Sequence, residues 1–280
     1  MVKVAIAGGA GNLGTYIVKA ILEAGRHTPI ILSRSSKPSS LEAEVRVVDY
    51  SDHSSLVSAL DGVHTVIVTL FSTDVKESVD NQLALLKAAQ EVGVKRFAPS
   101  EWGSRDHSEF YMYHPKMEVW DVVKTSGLEV TRFVTGLYID MFVGPGKLFI
   151  DTLAGTAKIP GDGTAKTTFT YTPDIGQFVA ASLDLERWDE VSGIVGETKT
   201  WDEAVDIAEV VTGKKFERTY MKEGGGEAAK QLLERKFLAG LTKSVVAGHW
   251  EVEPTLNRKF PQLRAFTVEE YLRQSWKGTN

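Results

Sequence analysis

Val2-Lys3-Val4-Ala5-Ile6-Ala7-Gly8-Gly9-Ala10-Gly11-Asn12-Leu13-Gly14 opens the chain as an apolar, β-branched run that enters a glycine-rich turn, followed by a helical stretch from Thr15 to Ala24. A strand feeding such a turn and then a helix is the first half of a βαβ unit. Its glycines let backbone approach a pyrophosphate, and the helix N-terminus presents free N–H groups and a partial positive charge to it. Gly8, Gly11, Asn12, Leu13 and Gly14 are therefore candidate dinucleotide-binding residues. Gly14 also permits close packing of helix on strand.

The pattern continues outward from that turn. Pro29 to Leu32, Val45 to Val48, Thr65 to Thr69, Arg96 to Pro99 and Val130 to Phe133 are short, nearly continuous apolar or β-branched runs separated by helical stretches. Such runs suit strands covered on both faces, so the expected fold class is α/β: a doubly wound parallel sheet with a smaller C-terminal lobe. After residue 135 the rhythm breaks at Gly144-Pro145-Gly146 and at Pro160-Gly161-Asp162-Gly163. The expected division is a dinucleotide-binding domain over 1–150 and a substrate lobe over 151–280, partly interleaved with the first. Thr200 with Glu203 and Thr267 with Glu270 have the spacing of capping boxes, and Thr172-Pro173-Asp174 reads as a further helix start.

The second strand ends at Ser33-Arg34-Ser35-Ser36-Lys37, where an NAD-binding chain usually carries an acid for the ribose 2′-hydroxyl. Here Ser33, Arg34 and Lys37 offer hydroxyl, guanidinium and ammonium groups suited to a 2′-phosphate, which favours NADP(H) over NAD(H). A solvated basic loop is the alternative. Asp49 and Tyr50 close the third strand and border the expected adenine site. Thr69, Leu70 and Phe71 close the fourth, and Ser100 follows the fifth. All lie at carboxyl ends of strands, where open α/β sheets bind ligands.

The chain has 280 residues, a net charge of −5 and no cysteine. The acidic balance argues against a general nucleic-acid or anionic-lipid surface, although Arg34 and Lys37 keep one small basic site. Without cysteine, disulfides, thiolate catalysis and cysteine zinc sites are out. The six histidines show no paired-ligand spacing, so no metal is expected. No run reaches the roughly 18 apolar residues of a membrane span. A cytoplasmic monomer or homodimer is the expectation.

The glycine turn, Val94-Lys95-Arg96-Phe97-Ala98-Pro99-Ser100-Glu101-Trp102-Gly103, Lys116, and the closing segment Thr255-Leu256-Asn257, Phe260-Pro261 and Thr267 to Leu272 resemble the NmrA-like and isoflavone-reductase-like group of atypical short-chain dehydrogenases. That resemblance implies an NADPH-binding Rossmann domain, a smaller lobe over the nicotinamide, and reduction of aromatic secondary metabolites. It also implies a catalytic lysine on the helix after the proline-serine-glutamate turn, the position held here by Lys116. Trp102 stands where the group commonly has phenylalanine. Thr135-Gly136-Leu137-Tyr138 replaces a stretch that often contains asparagine.

From the residues themselves, Lys116 opens an apolar-periodic helix on a chain leaving the fifth strand. A lysine beside an oxidised nicotinamide has its ordinary value of about 10.4 pulled down, bringing proton transfer near neutral pH. It either serves as acid and base or stays charged and hydrogen-bonds the ribose, and a solvated lysine in a first helical turn is the bland alternative. Tyr111, Tyr113 and His114 are further candidate donors, each more readily explained by packing or capping. Ser104 to Pro115 reads as a lid. Trp102, Tyr113, Tyr138 and Phe142 are the candidate substrate-contacting residues, suited to a flat aromatic molecule. The leading expectation is an NADPH-dependent reductase acting on a C=C, C=O or C=N bond of an aromatic or polyketide/alkaloid-type metabolite. The alternatives are an NADP-sensing regulator that binds a protein partner without turnover, and an NADP-binding redox-neutral cyclase or isomerase.

Overall fold

The computed structural model describes residues 1–35, 41–72, 74–222 and 232–277 and divides into two compact units. One comprises Met1–Trp102, Pro115–Phe133 and Ile175–Ser192; the other comprises Gly103–His114, Val134–Asp174 and Gly193–Asn280. The first contains β1 (Lys3–Ala7), α1 (Asn12–Ala24), β2 (Thr28–Ser33), β3 (Glu44–Val47), α2 (His53–Ala59), β4 (Thr65–Val68), α3 (Val75–Glu91), β5 (Arg96–Ala98), α4 (His114–Val123) and β6 (Glu129–Val130). Its six strands pair in the order β3-β2-β1-β4-β5-β6, every pairing parallel. Ala7 lies opposite both Leu32 and Val68, so the chain enters the glycine turn between two neighbouring strand ends. The order reverses at β1 and β4, the place where such sheets open a crevice for ligands.

Helical periodicity meets that sheet as the sequence leads one to expect. α1 buries Leu13, Ile17, Val18 and Ile21 along one face. One layer of the core joins Ala5, Ala7, Ile30 and Val66 to Leu56, Leu85, Ala89 and Trp120. The run expected as one strand over Val130 to Phe133 is divided. Glu129–Val130 stays in the parallel sheet, whereas β7 (Arg132–Val134) pairs with β13 (Val191–Gly193). The cause lies at Thr131, fully buried, whose hydroxyl donates to Ser192 Oγ at 2.8 Å while the Arg132 N–H bonds Glu190 O at 2.9 Å.

The second unit contains β8 (Leu137–Tyr138), α5 (Ile139–Phe142), β9 (Val143–Gly144), β10 (Ile150–Asp151), β11 (Thr156–Pro160), β12 (Lys166–Thr170), the start of α6 (Thr172–Ser182), β14 (Glu197–Thr200), α7 (Trp201–Thr212), β15 (Glu217–Met221), α8 (Leu232–Val246), α9 (Thr255–Lys259) and α10 (Val268–Lys277). Two small sheets, β15-β11-β10-β9 and β14-β12-β8, share a core that includes Phe149, Ile159, Phe169, Trp201 and Leu238. Thr200 and Glu203 form the expected capping box, and Thr267 and Glu270 exchange the same reciprocal bonds. Among the described residues no helix is long and apolar enough to cross a membrane.

Arg96 ties the late segment 175–192 into the first unit. It is 7% exposed, in the β5 strand that periodicity marks as apolar, and it donates to Leu183 O, Leu185 O and Glu186 O at 3.2, 2.7 and 2.8 Å. Glu129 neutralises it at 3.0 Å and the Trp188 ring covers it. Removing such a group leaves three carbonyls without this donor and the Glu129 carboxylate with the Trp188 N–H but no countercharge from Arg96. Arg96→Met is expected to lower stability by about 3 kcal/mol, measured by urea unfolding. A loss below about 1 kcal/mol would refute this account.

Candidate active site

The glycine turn is built by backbone alone. Gly9 N–H bonds Ile6 O at 3.1 Å and Gly11 N–H bonds Gly8 O at 2.8 Å, closing a tight bend at the end of β1. Gly8 has φ +83°, and a Cβ there would sit 2.8 Å from Thr69 Oγ1. At Gly14 a Cβ would fall 2.2 Å from Gly8 O, so only hydrogen fits where α1 crosses the turn. Gly11 caps α1 without a side-chain bond, and the helix's first turn carries no acid. Its N–H groups and positive end are uncompensated by side chains, the chemistry that takes a pyrophosphate. Asn12 is exposed at this end. Leu13 is buried in the core and offers the turn only its backbone.

Beyond the turn, β2 delivers Ser33 and Arg34, and β3 runs on to Asp49 and Tyr50. Ser33 Oγ accepts from Ser35 N–H at 3.1 Å. A cavity of about 490 Å³ is lined by Arg34, Asp49, Tyr50, Ser55, Glu77 and Asn81, among others. Asp49 accepts the hydroxyl and N–H of Ser51 at 2.7 and 2.9 Å, and these bonds hold its carboxyl below the usual carboxylate range. Tyr50 is nine-tenths buried, and its hydroxyl has no hydrogen-bond partner among the described residues. Burial pushes that phenol up to about 12, opposed by the Arg34 charge. Apolar walls, an orphaned phenol, an exposed guanidinium and a backbone cradle that a Cβ would fill together suit an adenosine carrying phosphate. Lys37 lies outside the described residues.

Glu77 and Asn81 were not among the residues that the sequence marks. Asp74 and Glu77 have capping spacing, which gives Glu77 an ordinary local role. In the structure Asp74 does cap α3, accepting from Glu77 N–H at 3.1 Å, but the Glu77 carboxylate accepts from Arg34 Nη1 at 3.2 Å.

The ends of β4 and β5 bring the remaining candidates together. Thr69 bonds Ala7 O through both N–H and hydroxyl, at 2.8 and 3.0 Å. Ser100 Oγ donates to Leu70 O at 2.8 Å, and Phe71 is 80% exposed. Trp102 adopts φ +29°, donates its indole N–H to Val68 O at 2.7 Å and stacks on Phe133 with ring centroids 5.1 Å apart. Its side chain is thus packed inside the first unit. Lys116, in the first turn of α4, is half-buried, and its Nζ donates to Glu101 O. Burial pulls this amine down to about 8, partly offset by the Glu101 carboxylate. Glu101 is itself buried, with Arg132 Nη1 at 3.9 Å from Oε2.

Tyr113, Tyr138 and Phe142 belong to the second unit. Tyr113 packs on Phe110 and edge-on to His107 at 4.6 and 5.0 Å, and Phe142 packs on Phe149 at 5.5 Å. Burial, with Tyr113 nearby, pushes the Tyr138 phenol well above its ordinary value, against a hydrogen bond with Thr135. Phe110, expected in a lid, is 1% exposed and joins this unit's core, because its ring meets Tyr113, Phe237 and Trp250. His114 is exposed, with Nε2 3.0 Å from Ser108 O.

A parallel sheet with a glycine turn at its crevice defines a dinucleotide-binding α/β protein. Residues 2–272 match the NmrA-like family, and the chain belongs to it. Oxidoreductase BOA1 of Botryotinia fuckeliana is 39% identical over 235 residues, 77% of this chain and 78% of that one. Phenylcoumaran benzylic ether reductase PT1 of Pinus taeda is 26% identical over 307 aligned positions, covering 96% of this chain and 97% of its own. Among solved structures, AtPrR2 with NADP+ and (+)pinoresinol superposes with a TM-score of 0.83 at 26% identity, covering 98% of each chain.

The depressed Lys116 amine has a thermodynamic consequence. Between about pH 8 and 10.5 the unfolded chain binds a proton at Lys116 that the folded chain has released, so this residue's contribution to stability rises with pH there. Below pH 8 both states are charged and the folded one carries the burial penalty. Relative to Lys116→Met, wild type is expected to gain about 1 kcal/mol per pH unit across that window, measured by urea unfolding at a series of pH values. Parallel pH curves for the two proteins would contradict the assignment.

Proposed function

We propose that the chain is an NADPH-dependent reductase of aromatic or polyketide/alkaloid-type secondary metabolites, with Lys116 as acid and base. The observation that carries this reading is the half-buried Lys116 amine, pulled down to about 8, beside the carboxyl end of β5 in the same unit as the glycine turn. The names of the relatives support it: an oxidoreductase, a phenylcoumaran benzylic ether reductase and a structure with NADP+ and pinoresinol.

In this reading the N–H groups around Gly8 to Gly14 hold the pyrophosphate, Arg34 meets the 2′-phosphate, and Asp49 and Tyr50 border the adenine. Lys37 belongs to the same proposal. Thr69, Leu70, Phe71 and Ser100 frame the crevice through backbone and hydroxyl groups, with Thr69 bonded to Ala7 O and Ser100 to Leu70 O tying neighbouring strand ends together. The bound nicotinamide supplies hydride. Lys116 Nζ holds the proton, fixed in direction by Glu101 O. An amine near 8 exchanges a proton at neutral pH without a large penalty in either direction. The dinucleotide is assigned to the first unit. Tyr113, Tyr138 and Phe142 of the second are proposed to meet the flat substrate, with Trp102 shaping its own unit's contribution from beneath. Cysteine-free composition accords with a cytoplasmic enzyme.

The test follows NADPH absorbance and product mass together, with pinoresinol and related aromatic ethers as substrates. Lys116→Ala is expected to keep NADP+ affinity within about twofold while losing at least about 100-fold in turnover. Unchanged turnover would overturn the role of Lys116, and product formation without NADPH consumption would overturn the reductase.

A further inference from the structure

The cavity at the end of β2 contains a carboxylate placed by a small relay. Asp74 N–H donates to Ser72 Oγ at 3.1 Å, and the Ser72 hydroxyl donates to Glu77 Oε2 at 2.7 Å. In a capping box the acid at this position folds back onto the cap residue's own amide. Ser72 takes that amide here, and Glu77 is turned instead to Arg34, with Oε1 3.2 Å from Nη1. Both side chains are solvent-accessible, 74% for Arg34 and 41% for Glu77, and both line the cavity that Tyr50 walls. Asp49, the other acid on this wall, is folded onto Ser51.

A dianionic 2′-phosphate brought to Arg34 meets the Glu77 carboxylate at the same guanidinium. It must share or displace that partner, and the two anions repel. A free 2′-hydroxyl meets the opposite situation, because an ionised carboxylate accepts a hydroxyl proton, the chemistry that an acid at the end of β2 performs in NAD-binding chains. Resting on the dinucleotide reading above, the geometry points to Glu77 as a specificity-determining residue: its carboxylate competes with the 2′-phosphate for Arg34 and accepts from the 2′-hydroxyl, so that the chain takes both NADP(H) and NAD(H). The acid missing from β2 is supplied from α3, beside the base that opposes it.

The experiment is calorimetric titration of the full chain with NADP+, NAD+, 2′,5′-ADP and 5′-AMP at low and high ionic strength. Wild type is expected to bind NADP+ and NAD+ with Kd values within about tenfold of each other. In Glu77→Gln, NADP+ and 2′,5′-ADP tighten about fivefold while NAD+ and 5′-AMP weaken, and the shift shrinks at high salt because these charges are exposed. Glu77→Asp keeps the acid in the first turn of α3 but withdraws it by one methylene. It moves the NADP+/NAD+ ratio in the same direction by a smaller factor, which separates charge placement from a folding defect. An unmoved ratio in both variants, or equal changes for all four ligands, overturns the role of Glu77. Wild type binding neither dinucleotide overturns the underlying reading and this inference with it.

Discussion

At Gly14 the first helix crosses the first turn so closely that a side chain's first carbon would lie 2.2 Å from the Gly8 carbonyl oxygen. This contact fixes where α1 starts, how its N–H groups face the crevice and how near β1 stands to the end of β4, since Gly8 in turn meets Thr69. Strand ends on either side inherit their positions through the parallel register that sets Ala7 against Leu32 and Val68. Arg34 at one end and Ser100 at another are therefore placed by one steric constraint propagated through backbone hydrogen bonds. Side chains reinforce that frame at the strand ends, where the hydroxyls of Thr69 and Ser100 and the indole of Trp102 donate to Ala7 O, Leu70 O and Val68 O.

Lys116 stands at the other extreme, where burial works against folding. The neutral amine is the form that a half-buried position favours, and the Glu101 carboxylate pulls the other way without fully restoring the ordinary value. A structural lysine would be expected to reach solvent with its ammonium, because the stem is long enough to do so. This one is instead tethered to a backbone carbonyl in a segment whose neighbouring acid is 2% exposed. A group held in a protonation balance that costs stability at neutral pH is a better candidate for chemistry than for support.

The parallel sheet was legible because its central strands β1, β2 and β4 are buried along most of their length and read as nearly unbroken apolar runs, although β3 at the edge is only half-buried, and the caps were legible because Thr200 with Glu203 satisfies amides by local spacing. Interleaving was less so. The division of Val130 to Phe133 depends on Thr131 bonding Ser192, 61 residues away, and Arg96 reads as a strand residue although its partners lie 87 to 90 residues on. Within the candidate site, residues marked by position at strand ends do gather in one unit, but Glu77 was hidden. Its spacing from Asp74 is that of a cap, and no local signal says that Ser72 takes the amide to which a capping glutamate would return.

Cofactor preference is the property most exposed to that kind of error. A fingerprint compares residues at the end of one strand, yet the charge felt by a 2′-substituent is the sum over every element that reaches it. An acid on a strand end is held by sheet register and moves little. One in the first turn of a helix is held by rotamer and by a single serine bond, so its influence depends on small local hydrogen-bond choices. Here base and acid sit 43 residues apart in sequence and 3.2 Å apart in space. The strand end alone therefore describes half of an electrostatic pair, and under the proposed role of Glu77 both members set the discrimination between the two dinucleotides.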